Sequence, residues 1–158
     1  MRRRHLLAAA VGLLPATLLA QDGQTVTWTD VRLLTGRVLP AQDLAARVVV
    51  VYMWASWCPF CAKQSPSMQA LHASESRRAN GLLVLGFSID KTQQAAADYL
   101  AKHGYTFASA MAGPDVEQWF GKRRALPEVY VVNRGRVVFR EGGEMFPEDV
   151  AALARFGS

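Results

Sequence analysis

An α/β fold built on a mixed sheet is what this sequence predicts, on three observations. Val48 to Trp54 is a continuous apolar, β-branched run, the pattern of a strand buried on both faces. Leu82 to Ile89 is a second such run, separated from the first by a helical stretch that Pro59 opens. That β-helix-β unit implies parallel pairing and a right-handed crossover. Val129 to Val132 and Arg136 to Arg140 flank Asn133-Arg134-Gly135 and read as an antiparallel hairpin, so the sheet is mixed.

Taken in order, residues 25–39 alternate loosely through Val26, Trp28, Val31 and Leu33 and turn at Thr35-Gly36, a short N-terminal hairpin. After the first buried strand, Pro59 can start a helix because its missing N–H is not needed there. Met68 and Leu71 give that helix an apolar side, and Asn80-Gly81 should end it. Beyond the second strand, Asp90 and Thr92 are candidate caps for a helix that carries Ala95, Ala96, Tyr99 and Leu100 and stops at Gly104. A short extended piece (Thr106 to Ala110) and a helix around Asp115 to Phe120 lead to the hairpin. Pro147 to Phe156 closes the chain as an amphipathic helix.

The chain has 158 residues, 51% hydrophobic and 20% charged, which suits one domain with a single packed core. The apolar content argues against disorder, and Gly and Pro are too scarce for a collagen-like or low-complexity chain. Two cysteines exclude a disulfide scaffold and a four-cysteine zinc module. Eighteen Lys+Arg stand against 13 Asp+Glu, but three of the cations are Arg2, Arg3 and Arg4. Without them the balance is 15 to 13, close to neutral, and Lys122, Arg123 and Arg124 form only a short cluster. No nucleic-acid partner is expected.

Residues 1–20 have the layout of a secretory signal. Arg2 to His5 form a basic start, Leu6 to Leu19 an apolar run of 14 residues broken by Gly12, Pro15 and Thr17, and small Ala20 precedes Gln21-Asp22-Gly23. A bilayer span needs roughly 20 apolar residues, so an uncleaved anchor is the weaker alternative. Leu18 stands where a small residue is usual, and Arg3-Arg4-His5-Leu6-Leu7 is similar to a twin-arginine signal. The expected mature domain is 21–158, outside the cytoplasm, where disulfides persist.

Both cysteines lie in Trp57-Cys58-Pro59-Phe60-Cys61, between the first buried strand and its helix. This spacing lets two sulfurs on a helix's first turn close an intramolecular disulfide. The first sulfur sits where free N–H groups and the macrodipole favour negative charge. Cys58 is therefore the candidate nucleophile. Cys61, one turn inside, is the candidate resolving thiol and should be more buried and less acidic. Zinc would need two further ligands, and only His72 and His103 follow the signal. A static disulfide closing so short a loop would add little stability.

The string V-V-V-V-Y-M-W-A-S-W-C-P-F-C, residues 48–61, resembles the exported, TlpA-like branch of the thioredoxin-like superfamily, with its W-A-S-W-C-x-x-C hallmark. Pro66 matches a helix-kinking proline of many members, and Leu126-Pro127 falls where the family carries its cis-proline loop. The resemblance implies a thioredoxin-like fold: a mixed central sheet flanked by helices, with an N-terminal β-hairpin and one inserted helix near 92–103. It also implies a cis Pro127 beside the cysteines, with Leu126 offering backbone hydrogen bonds to the substrate chain; an ordinary pre-strand proline is the plainer alternative. Thioredoxin has a buried Asp where this chain has Tyr52, so proton handling at Cys61 must use another group.

Asp90 aligns roughly with an active-site carboxylate of the cytochrome-c-maturation thioredoxins, and Glu128 matches the Pro-Glu pair of DsbE (CcmG)-type members. Both are candidate proton relays; a helix cap and a solvated side chain are their plainer alternatives. Trp54 should pack in the core. Trp57, Pro59, Phe60, Leu126 and Pro127 are the candidate substrate contacts, Trp57 and Phe60 offering aromatic surface.

The chemistry expected is thiol–disulfide exchange: Cys58 attacks a target disulfide, and Cys61 resolves the mixed disulfide. No cofactor and no metal are expected. The resemblance implies a periplasmic monomer that reduces disulfides of exported proteins, apocytochrome c among them, with electrons from a membrane donor of the DsbD/CcdA type. The alternatives are a thiol oxidase or isomerase of the same fold, a peroxiredoxin-like peroxidase and a copper-binding chaperone. The peroxidase normally has Thr or Ser where Ala55 stands, and the chaperone would use a wider cysteine spacing with a downstream histidine.

Overall fold

A computed structural model describes residues 23–157; the expected signal at 1–20 lies outside the described residues. Seven strands and five helices follow in order: β1 (Val31–Arg32), β2 (Val38–Leu39), α1 (Ala41–Ala45), β3 (Val48–Trp54), α2 (Pro59–Glu75), β4 (Leu83–Ser88), α3 (Gln93–His103), β5 (Ala108–Met111), α4 (Pro114–Phe120), β6 (Glu128–Asn133), β7 (Arg136–Gly142) and α5 (Pro147–Ala152). A 3-10 turn, Leu153–Gly157, ends the described chain. The main sheet has the order β5-β4-β3-β6-β7. Strands β3, β4 and β5 run parallel, while β6 is antiparallel to both β3 and β7. The β1–β2 hairpin is a separate antiparallel pair.

Alternation along β3 divides the core into two layers. Val50, Tyr52 and Trp54 face Met68 and Leu71 of α2 and Val150 of α5. Val49, Val51 and Met53 face Leu44 of α1, Trp119 and Phe120 of α4, and the N-terminal Val26, Trp28, Val31 and Leu33. With helices on both faces, β3 must be apolar throughout, and its register sets the site. Trp54 pairs with Ser88 at the end of β4, and Met53 with Glu128 at the start of β6. The residues that follow β3 and β4 and those that precede β6 therefore meet at one end of the sheet.

Three expectations and one plainer alternative, a solvated Glu128, need correction. Helix α2 stops at Glu75, short of Asn80-Gly81, because the chain doubles back in tight turns from Glu75 to Gly81. A Cβ at Gly81 would collide with the Glu75 carbonyl oxygen, so glycine is required there. Thr92 alone caps α3, its hydroxyl accepting from the Ala95 N–H at 3.2 Å; the Asp90 carboxylate is engaged elsewhere. The closing helix is α-helical only to Ala152 and then tightens. Glu128 is buried rather than solvated, because it pairs with Arg140 inside the sheet. Helix α1 was not foreseen: five residues are too few to show a helical period.

Candidate active site

Helix α2 begins at Pro59, so Cys58 is its N-cap residue, with extended backbone (φ −87°, ψ 115°). Its sulfur takes the place of a capping oxygen: the Cys61 N–H donates to Cys58 Sγ at 3.2 Å. Free N–H groups and the positive end of the macrodipole thus point at that sulfur, the geometry that suits a thiolate. Cys58 is only 4% exposed. Around it Trp57 and Phe60 are exposed, at 63% and 51%, and Pro59 is exposed as well. Trp54, by contrast, is fully buried; its indole N–H donates to Ser109 Oγ at 3.2 Å. That ring lies over Gly86, where a Cβ would come within 2.8 Å of Nε1, so β4 needs glycine at this point.

Cys61 is fully buried one turn into α2. Burial first, and then its hydrogen bond with Cys58, push its thiol well above the ordinary range. Tyr52 comes up from β3 beneath it. The Tyr52 hydroxyl donates to the Cys61 carbonyl at 3.1 Å and lies 3.0 Å from Ser65 Oγ, which donates to the same carbonyl at 2.8 Å. Burial raises the Tyr52 phenol far above its usual value, so it stays a neutral donor.

The Leu126–Pro127 peptide bond is cis. Pro127 is buried, and the Leu126 carbonyl lies 3.8 Å from Cys58 Sγ as an acceptor for the thiol. The Gly143 N–H donates to the Pro127 carbonyl at 2.8 Å, tying this loop to the segment before α5.

Asp90 stands at the end of β4, 7% exposed, with all its donors supplied by serines. Ser56 gives it a hydroxyl at 2.6 Å and its backbone N–H at 3.1 Å, and Ser88 a hydroxyl at 2.7 Å. The carboxylate thereby clamps the loop between β3 and α2 two residues before Cys58. Glu128 leaves β6 on the side of Tyr130, the sheet face opposite α2. Arg140 Nε and Nη2 both donate to its Oε1, at 3.1 and 2.6 Å, and the guanidinium also lies 5.1 Å from the Tyr130 ring centre. Neither carboxylate hydrogen-bonds a cysteine sulfur. The fold gathers Trp57, Cys58, Phe60, Cys61, Leu126 and Pro127 around one sulfur, brings Asp90 to the loop behind them, and leaves Glu128 on the far face.

The Redoxin family model matches residues 12–155. The chain belongs to the Redoxin family. It is 28% identical over 141 residues to the thiol:disulfide interchange protein DsbE homolog of Paracoccus denitrificans, covering 86% of this chain and 73% of that relative. It is 25% identical over 119 residues to the thiol-disulfide oxidoreductase ResA of Bacillus thuringiensis, covering 74% and 67%. The thioredoxin-like fold is shared with the crystal structure of a thiol:disulfide interchange protein from Chlorobium tepidum, at a TM-score of 0.73 and 19% identity, covering 84% and 96%. This redoxin is a thiol-disulfide oxidoreductase of the TlpA/DsbE type.

Sequence reasoning passed over three polar residues of the redoxin's site. Ser56 and Ser65 look like ordinary helix-end and helix-surface serines, and Arg140 looks like an exposed strand residue. Only the pairing of β6 with β7 sets Arg140 opposite Tyr130 and beside Glu128. The one available signal was Ser65, four residues after Cys61 and just before Pro66, where a hydroxyl can reach back to a helical carbonyl.

Proposed function

We propose that this redoxin is exported by residues 1–20 and acts in the periplasm as a disulfide reductase of exported proteins, apocytochrome c among them. Reduced Cys58 attacks the client disulfide and forms the mixed disulfide, releasing the client's other sulfur as a thiolate. Cys61 then attacks Cys58 Sγ, closing the intramolecular disulfide, and its proton passes to the client thiolate as the reduced client is expelled. Electrons return from a membrane donor of the DsbD/CcdA type. Trp57, Pro59, Phe60, Leu126 and Pro127 form the client's docking surface, and Asp90 positions the loop that carries Cys58. Glu128 steadies the cis-proline strand through Arg140.

The observation that carries this reading is the sulfur of Cys58 serving as the N-cap of α2, with the Cys61 N–H aimed at it from 3.2 Å. The W-A-S-W-C-x-x-C string and the names of the DsbE and ResA relatives support it. The test is the reduction potential of the Cys58–Cys61 couple. A value near thioredoxin's, about −270 mV, supports a reductant; one near DsbA's, about −120 mV, makes the protein an oxidant instead. A Cys61→Ser variant should trap clients as mixed disulfides through Cys58, and a lack of such adducts would refute the exchange mechanism.

A further inference from the structure

A cavity of about 1000 Å³ opens at the end of the sheet away from the cysteines. Arg47, Arg134, Arg136, Asn80 and Asn133 line it, and no acidic side chain does. Asn133 pairs with Val48 at the start of β3, while Cys58 lies beyond that strand's far end. Seven residues at about 3.3 Å each put the cavity roughly 20 Å from the site. None of these three arginines forms an ion pair among the described residues. Arg47 is tethered, its Nη2 donating to the Gly81 carbonyl at 3.1 Å. Arg134 sits in the β6–β7 turn at φ 48°, left-handed backbone that such a residue rarely adopts. The turn itself favours Asn or Gly there, so turn chemistry does not account for the arginine. Among the described residues the cluster presents three guanidinium groups without counter-ions, a donor set suited to phosphate oxygens.

The path of the N-terminal chain indicates which anion meets it. Residues 23–26 run along the same turn: the Val26 N–H donates to the Gly135 carbonyl at 2.7 Å, and the Val137 N–H to the Gln24 carbonyl at 2.9 Å. A Cβ at Gly23 would come within 2.9 Å of Arg136 Cγ. The 22 residues that precede it, with Arg2 to Arg4 and the apolar run Leu6 to Leu19, therefore join the domain beside this cavity. When that run enters a bilayer, the cavity is the face nearest the headgroups.

We propose that this cavity docks anionic phospholipid headgroups, holding the domain on a membrane surface with its cysteine pair turned away. The site rests on residues 1–20 staying attached, the uncleaved-anchor alternative, but is independent of the redox reaction, so failure of the headgroup site leaves the thiol chemistry standing. The test uses the full chain, with vesicles of phosphatidylcholine alone and of equal parts phosphatidylcholine and phosphatidylglycerol. The apolar run should bind both, so the difference between the two reports charge. Replacing Arg47, Arg134 and Arg136 together by Gln, with Arg2 to Arg4 kept, should weaken binding to the phosphatidylglycerol vesicles by about fivefold per arginine, roughly a hundredfold in all. Binding to phosphatidylcholine and insulin reduction in solution should be unchanged. Arg134→Gly, which suits the left-handed backbone of the turn, should lose about fivefold alone. Equal binding of the parent chain to both vesicles, undiminished binding by the variants, or tighter capture of soluble polyglutamate than of the anionic vesicles would each overturn the proposal.

Discussion

The two ends of the main sheet use charge in opposite ways. At the cysteine end, polar groups are matched in detail: Asp90 holds two serines, Glu128 holds Arg140, and the Cys61 carbonyl receives both Tyr52 and Ser65. At the far end Arg47, Arg134 and Arg136 surround an open cavity that no carboxylate lines among the described residues. Reaction at a sulfur requires atoms held to fractions of an ångström, whereas attraction of a surface requires only like charges gathered on one face. Substitutions at the first end should therefore change chemistry and stability, and at the second, neither.

The largest effect that tests this contrast is Cys58→Ser, which should reduce insulin reduction to the uncatalysed background. An active Cys58→Ser protein would remove the basis for placing the reaction at this end. Next comes Arg140→Ala, which strands a buried carboxylate. It should cost about 2–3 kcal/mol in urea unfolding, somewhat less than a fully buried pair because Arg140 is partly exposed. Arg134→Ala, the same change at the other end, should stay within about 0.5 kcal/mol; equal losses would erase the distinction. Asp90→Ala leaves the Ser56 N–H without its acceptor. We expect about 1–2 kcal/mol of destabilisation and slower client reduction, with Asp90→Asn milder on both counts.

Tyr52→Phe removes one buried hydroxyl. It should cost about 1 kcal/mol and prolong the mixed disulfide while leaving the first attack by Cys58 unchanged, as quenched single-turnover samples would show. The last effect is on pH dependence. Burial pushes Cys61 and Tyr52 above their ordinary values, so the folded chain keeps protons that the unfolded chain releases from about pH 8.5 and about pH 10 respectively. Their contribution is full below about pH 8.5 and declines as pH rises, because the native state then binds more protons. The urea midpoint of the reduced protein should fall between about pH 7 and about pH 10, and Cys61→Ala should flatten the first part of that decline.

Much of the fold was legible because the residues concerned meet a local requirement. Val48 to Trp54 is a strand to the residue, since burial on both faces demands an apolar side chain at every position. Gly104 ends α3 at φ 68°, and Arg134-Gly135 turns the β6–β7 hairpin, both through backbone conformations that glycine tolerates. The site was legible in the same measure: two cysteines on a first helical turn announce themselves. Asp90 and Glu128 were visible as carboxylates but not as what they touch. Asp90 looked like a cap because Thr92 and a helix follow it, and the cation that pairs with Glu128 is not the nearby Arg124 but Arg140, twelve positions away on the next strand.

By itself the sequence determined the alternation of strand and helix, the cysteine pair and its place at a helix start, because each depends on residues within one or two turns of one another. The tertiary structure decided which groups surround the sulfurs and which charges are left uncompensated. Ser56 meets Asp90 across 34 positions, and Leu126 meets Cys58 across 68. Such distances are closed only when β4 and β6 take their places on either side of β3, since the burial of whole strands, and no local preference, brings those atoms together.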